Sequence, residues 1–208
     1  MKITYSEGKQ NKIHISVDGE YMFTVDAEYW YSCPWCRISE IDEADEQEKF
    51  LSDAGSRYAF ISGLRVLSYG DNSRKELDLK LKTKGHKAEY VSLALDKLEE
   101  YGYINDSRFA RYLTDRLIRT KKMSRNGIRC ELLRKGVSRE IADEILDETE
   151  FDAVEDICAL LQKKYSRYLN DEKGVKKTVA ALQRLGYGWS DIKSALRRYE
   201  LDSEDDSI

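Results

Sequence analysis

Proline is almost absent: Pro34 is the single proline in 208 residues, so beyond it only glycine and capping side chains are left to stop a helix. Histidine is nearly as scarce. His14 alternates with Ile13 and Ile15 on a predicted strand, and His86 follows the glycine that closes a predicted helix; neither has a neighbouring carboxylate or nucleophile to make it a general base. The four cysteines are too few to replace a hydrophobic core with disulfides, and reduced thiols are expected. Cys33-Pro34-Trp35-Cys36 has the spacing of a redox pair or of half a zinc site. A metal would need two more ligands, and Cys130, Cys158, His14 and His86 supply no second close pair, so a structural or incidental pair is the favoured reading. No run approaches the roughly eighteen apolar residues that a bilayer span needs. The amino terminus lacks the apolar stretch and cleavage site of a secretory signal, which predicts a cytoplasmic protein with no membrane contact. A phosphate-cradling glycine loop and a His-Glu-x-x-His cluster are also missing. The sequence therefore implies no enzyme, no cofactor and no metal.

What is present is charge, and it is segregated. Hydrophobic residues make up 41% and charged residues 36% of the chain, with a net charge of -4. Residues 1–50 hold five basic and eleven acidic side chains, residues 108–139 eleven basic and two acidic, and residues 163–198 ten basic and three acidic. Local basic faces can hold phosphate or an acidic protein surface even on a net anion.

Lys12 to Val17 alternates as a half-buried strand, Asp18-Gly19 is a favoured hairpin turn, and Glu20 to Asp26 alternates again, with Ile3 and Tyr5 offering a third strand. A lone hairpin is marginal in water, so it must pack on Tyr29, Trp30 and Trp35 or on the helical body. From about residue 50 the period becomes helical. Ser73-Arg74-Lys75-Glu76 has the form of a capping box, Leu77 and Leu81 share a face, and Gly85 can close the helix in the left-handed conformation. This segment recurs 51 residues later as Ser124-Arg125, Ile128, Leu132 and Lys135-Gly136, and more faintly as Thr178, Leu182 and Leu185-Gly186, where the start at Lys173-Gly174 lacks a serine cap. Ser190-Asp191 is expected to start the final helix. Preceding helices at residues 54–69, 106–121 and 151–167 complete each copy.

The expected fold class is mainly all-α: three tandem three-helix repeat units in an elongated, curved array, with an N-terminal β-hairpin extension. The expected segments are the hairpin extension at 1–36, an acidic linker or short helix at 37–53, units at 54–103, 104–150 and 151–199, and an acidic tail at 200–208.

Candidate binding residues follow from the basic segments. Arg116, Arg119, Lys121, Lys122, Arg125 and Arg129 straddle a helix junction in the second unit, and Arg108 and Arg111 enlarge that patch. Lys163, Lys164, Lys176, Lys177 and Arg184 repeat the theme in the third unit. Such a strip suits salt-sensitive, sequence-independent phosphate contacts. Ordinary helix solubility is the alternative. Tyr101, Tyr103 and Phe109 around Gly102, and Tyr187 and Trp189 around Gly188, are read as locking inter-helix corners; base stacking by Tyr112 or Trp189 is the competing reading.

Leu98-Glu99-Glu100-Tyr101-Gly102-Tyr103-Ile104-Asn105-Asp106-Ser107-Arg108-Phe109-Ala110 and Glu131-Leu132-Leu133-Arg134-Lys135-Gly136-Val137 resemble two signatures of the RecX family, bacterial modulators of the RecA recombinase. Tyr69 to Leu77 resembles that family's tyrosine-to-leucine junction, although Gly70-Asp71-Asn72 stands where a more basic sequence is usual. The resemblance spans residues 55–198. It implies a non-catalytic regulator of recombination and the SOS response that binds RecA and RecA filaments on single-stranded DNA, limiting extension or promoting disassembly. Weak direct contact with single-stranded or double-stranded DNA, and action as a monomer, are further expectations. A RecA-independent nucleic-acid-binding protein and a cysteine-dependent redox or zinc regulator are the alternatives.

Overall fold

A computed structural model describes residues 1–205, with side chains described through Tyr199. The acidic tail expected at 200–208 lies outside the residues whose side chains are described. The chain is mainly helical with a small sheet at its amino end, and it divides into two compact units, Met1–Asn105 and Asp106–Ile208.

The first unit opens with three antiparallel strands in the order β1 (Ile3–Gly8), β2 (Lys12–Val17) and β3 (Glu20–Asp26). The expected hairpin is present. Asp18 and Gly19 both take positive φ, 50° and 88°, the backbone twist that a two-residue hairpin turn needs. Ile13 faces Val25 and Ile15 faces Phe23 across the pair, and all four are buried. They do not pack on each other alone. The same core holds Trp30 from α1 (Ala27–Ser32), Trp35 from the 3-10 turn Pro34–Arg37, and Phe50, Ala54 and Ala59 from α2. Both packing partners expected for the hairpin are therefore used. Asp26 ties the layers together: it caps α1 by accepting from the Tyr29 amide at 2.9 Å and accepts from Arg57 Nε of α2 at 2.7 Å.

α2 runs unbroken from Ala44 to Leu67, so the acidic stretch at 37–53 supplies the first turns of this helix. No proline or glycine interrupts it there. α3 (Arg74–Thr83) and α4 (Ala88–Glu100) complete the first helix triple. The Ser73 hydroxyl accepts from the Glu76 amide at 3.1 Å, as its place before the helix predicts.

The second unit contains α5 (Asp106–Lys121), α6 (Arg125–Arg134) and α7 (Arg139–Asp147), then α8 (Ala153–Leu160), α9 (Glu172–Arg184) and α10 (Trp189–Asp205). The repeat is visible in its burial. Leu77, Ile128 and Thr178 are all buried at matching places, as are Leu81, Leu132 and Leu182. Gly85, Gly136 and Gly186 have φ of 91°, 89° and 90°. Each lets the following amide turn back onto a carbonyl five residues earlier, in the last turn of the helix, as Val137 does to Leu132 at 3.1 Å and Tyr187 to Leu182 at 3.2 Å.

The third triple departs most from expectation. α8 ends at Leu160 and continues as a π turn, Leu161–Tyr165, and a 3-10 turn, Ser166–Tyr168, rather than as one helix to residue 167. α9 starts earlier than the repeat suggests, because Asp171 caps it by accepting from the Gly174 amide at 2.5 Å. Ser190 is not a cap. α10 already includes Trp189, and its first turn is closed by the Ile192 amide donating to the Gly188 carbonyl at 3.1 Å.

Candidate nucleoprotein-binding face

The chemistry singled out in the sequence sits in the second unit, where α5, α6 and α9 carry most of the cations. α5 is amphipathic. Phe109, Ala110, Leu113 and Leu117 are buried in the core it shares with α6 and α7, while Arg108, Arg111, Arg116, Arg119 and Lys121 are exposed.

The structure sorts these cations into two classes. One class is engaged internally. Arg111 pairs with Glu148, an interaction that raises its pKa, and Arg129 pairs with Asp143 at 2.7 Å. Lys122 Nζ reaches Asp156 at 2.7 Å, Lys176 reaches Glu172 at 2.6 Å, and Arg125 pairs with Asp147 while donating to the Leu146 carbonyl at 2.5 Å. Arg125 has a counterpart one repeat earlier: Arg74 at the same helix start pairs with Asp96 at 2.5 Å and Glu99 at 2.6 Å. This arginine-to-aspartate link between the second and third helix of a triple is a packing device of the repeat. Arg108 also has an interaction partner.

The other class makes ring contacts, longer-range electrostatic contacts or none among the described residues, but no ion pair. Arg119, Lys121, Lys163, Lys177 and Arg184 are exposed with no hydrogen bond or ion pair among the described residues. Arg116 lies over the exposed Tyr112 ring at 5.7 Å, and Lys164 over the Tyr165 ring at 5.4 Å. Lys121 also adds to the positive surroundings of Glu131, whose pKa is lowered first by its hydrogen bond from Arg134.

The junction between α5 and α6 is held firmly against the junction between α9 and α10. The Tyr187 hydroxyl donates to the Lys122 carbonyl at 2.7 Å, and the Ser124 amide donates to the Leu185 carbonyl at 3.1 Å. Lys122 itself takes a left-handed φ of 50°. Gly127 is required here, because a Cβ on it would collide with the Leu185 carbonyl. These ties bring the neighbourhoods of Lys121 and Arg184 into one body.

The aromatic corners divide in a way the sequence did not foretell. Phe109 and Tyr187 are buried as corner residues. Tyr101 and Tyr103 are exposed but set their rings edge-on against Phe60 of α2, at 6.0 and 6.5 Å, as corner residues would, whereas Trp189 is 59% exposed; a tryptophan beside a helix start gives no sequence signal of which way it faces.

The cysteine pair lies in the first unit. The Cys33 thiol donates to the Trp30 carbonyl at 3.1 Å and the Cys36 thiol to the Cys33 carbonyl at 3.2 Å. Burial pushes the Cys33 thiol pKa up, away from thiolate reactivity. Among the described residues no group of three or more His, Cys, Asp or Glu side chains is placed to hold a metal ion, and no helix is long and apolar enough to cross a membrane.

Residues 105–146, which span α5 to α7, match the family model described as the second three-helix domain of RecX. Over 190 residues the chain is 30% identical to the regulatory protein RecX of Caldanaerobacter subterraneus subsp. tengcongensis, covering 90% of this chain and 93% of that one. Identity to the regulatory protein RecX of Clostridium beijerinckii is 31% over 193 residues, covering 88% and 85%. A crystal structure of a regulatory protein RecX superposes with a TM-score of 0.66 at 22% identity, over 94% of this chain and 98% of that one. A second, from Lactobacillus salivarius, does so with a TM-score of 0.58 at 24% identity, over 71% and 97%. At these identities the structural likeness speaks to the fold.

Proposed function

The chain belongs to the RecX family of regulatory proteins, and from that membership we propose that it binds RecA and RecA filaments on single-stranded DNA, limiting filament extension or promoting disassembly. In this role it restrains recombination and the SOS response by binding, without catalysis. Successive helix triples contact successive protomers, so several weak contacts act together through effective concentration.

Family membership supplies the partner. Support for the second unit as the contact comes from its exposed cations that make no hydrogen bond or ion pair among the described residues, Arg119, Lys121, Lys163, Lys177 and Arg184, together with Arg116 on Tyr112. Anchoring of the α5–α6 junction makes that charge pre-positioned rather than mobile, which lowers the entropy lost on docking.

The experiment is RecA filament extension on single-stranded DNA with a triple variant, Arg116→Ala, Arg119→Ala and Lys121→Ala, beside a control carrying Lys176→Ala. The triple variant is expected to need at least tenfold more protein for the same inhibition, with a shallower salt dependence, while the control stays near wild type. Equal inhibition by folded wild type and triple variant removes this face from the mechanism. The same cations favour a second reading, RecA-independent nucleic-acid binding; salt-sensitive affinity for free DNA without any effect on filaments would select it.

A further inference from the structure

The first unit contains a cleft of about 490 Å³ between the amino-terminal half of α2 and the start of α4, within the size range of small-ligand sites. Tyr90 lines it. A Cβ on Gly55 would come within 2.4 Å of the Tyr90 ring, so glycine at that place on α2 lets the ring settle there, and Phe23 meets it edge-on at 6.2 Å. Tyr90 is 6% exposed, yet its hydroxyl has no hydrogen bond among the described residues. That oxygen is not sealed in, as Trp30 Nε1, Thr114 Oγ1 and Thr178 Oγ1 are, so it meets solvent in the cleft that Tyr90 lines. A phenol held this deep ordinarily has a partner. Around it the lining offers acceptors. Gln47 donates through Nε2 to the Ile41 and Asp42 carbonyls at 2.9 and 3.3 Å, which leaves its amide oxygen to be matched. Glu48 makes no hydrogen bond or ion pair among the described residues. The wall already attracts a cation of the chain itself: Lys87 Nζ lies 5.3 Å from the Tyr90 ring centre and 3.9 Å from a Glu89 carboxylate oxygen, on a side chain 66% exposed.

We propose that this cleft binds the guanidinium group of an arginine presented by a peptide segment of a partner protein. The ligand chemistry follows from the lining. A guanidinium is planar, carries five N–H donors and accepts nothing, so it takes the place of Lys87 over the Tyr90 ring while donating to the Tyr90 hydroxyl, the Gln47 amide oxygen and the Glu48 carboxylate. An ammonium is a point charge with no such fork of donors and matches these acceptors less well. Leu51, half-buried in the same lining, covers the aliphatic stem. Free arginine would bring its own carboxylate beside Glu48 and the Asp45 and Glu46 of the first turn of α2, which repel it; an arginine inside a peptide brings none. The open amides at the start of α4 would draw an anion, but Glu89 in that first turn already answers them. The site lies wholly in the first unit, shares no residue with the cationic face and goes beyond the proposed function.

The test follows amide NMR shifts of isotope-labelled full-length protein titrated with end-capped peptides of sequence Gly-Ser-X-Ser-Gly, where X is arginine, lysine or citrulline, and with free L-arginine in parallel. The arginine peptide is expected to shift Gln47 to Ser52 and Ala88 to Val91 saturably. Citrulline keeps the shape without the charge and should bind roughly tenfold or more weakly, the scale of lost hydrogen bonds from a charged donor. Lysine and free arginine should each bind severalfold more weakly. Glu48→Gln should cost severalfold, as one exposed charge does, and so should Tyr90→Phe, which keeps the ring in place. Lys87→Met should tighten binding severalfold by removing the competing cation, a gain that a damaged fold cannot imitate. Equal binding of the citrulline and arginine peptides overturns the proposal, as does wild-type affinity in both Glu48→Gln and Tyr90→Phe. Weaker binding in Lys87→Met overturns it too. Free arginine binding more tightly than the peptide also overturns it, since the occupant is then a small molecule. No filament or nucleic acid enters the test, so its failure leaves the proposed function standing.

Discussion

At the scale of single residues, burial and a neighbouring charge decide what each titratable group can do. His86 is half-buried, with its ring 4.7 Å from that of Tyr58, and burial together with Lys84 holds its pKa below the ordinary value of 6.5. The unfolded chain therefore takes up this proton first as pH falls, so stability declines below about pH 6.5 until the folded imidazole also protonates. Urea midpoints measured at pH 7.5 and pH 5.5 should show a drop in wild type that is smaller in His86→Gln. Identical drops would mean that other groups control this window. The same logic separates the arginines. Arg125 is already satisfied by Asp147 and the Leu146 carbonyl, whereas Arg119 is exposed with no hydrogen bond or ion pair among the described residues, so only the latter gains a partner on binding without losing one.

At the scale of elements, the corner between α5 and α6 is the most constrained feature of the second unit. A left-handed lysine costs about 1 kcal/mol or more, and Lys122 is kept there by its Asp156 ion pair and by the Tyr187 hydroxyl. Burial, with a contribution from Asp156, raises the Tyr187 pKa well above that of an ordinary phenol, so the hydroxyl remains a donor throughout the neutral and mildly alkaline range. Tyr187→Phe keeps the ring and loses this bond. The expected cost is about 1 kcal/mol, with faster amide hydrogen exchange at Met123 to Asn126. Unchanged protection there would show that Asp156 and the Ser124 to Leu185 bond hold the corner unaided.

At the scale of the whole molecule, the two units have separate cores. The sheet and α1 to α4 share one, while α5 to α7 and α8 to α10 have their own. The amino-terminal strands are thus part of the first unit's interior. Ile15 is fully buried, and Ile15→Asp places an unpaired charge among Phe50, Val25 and Trp30 or forces the sheet to open. Hydrogen exchange should show collapse of protection through residues 3–105 with protection retained in α5 to α9. Loss of protection in both units together would mean that their stabilities are coupled.

The sequence by itself determined the features that depend on neighbours a few residues away. Asp18-Gly19 turns a hairpin, α5 runs over the expected 106–121, and Gly85, Gly136 and Gly186 close helices because only the backbone freedom of glycine suits that position. The buried stripes of the repeat were equally legible, as was the family. Tertiary structure decided what depends on distant partners. Whether the 37–53 stretch joined α2, how Asp171 rather than residue 173 began α9, and which way Trp189 faced could not be read locally. The division of the cations is the clearest case: Lys122 finds Asp156, 34 residues away, and Arg125 finds Asp147, 22 away, while Arg119 and Lys121 form no ion pair among the described residues. Charge type is written in the chain, but its neutralisation is a property of packing, because Coulomb attraction acts on separation in space and is indifferent to separation along the sequence.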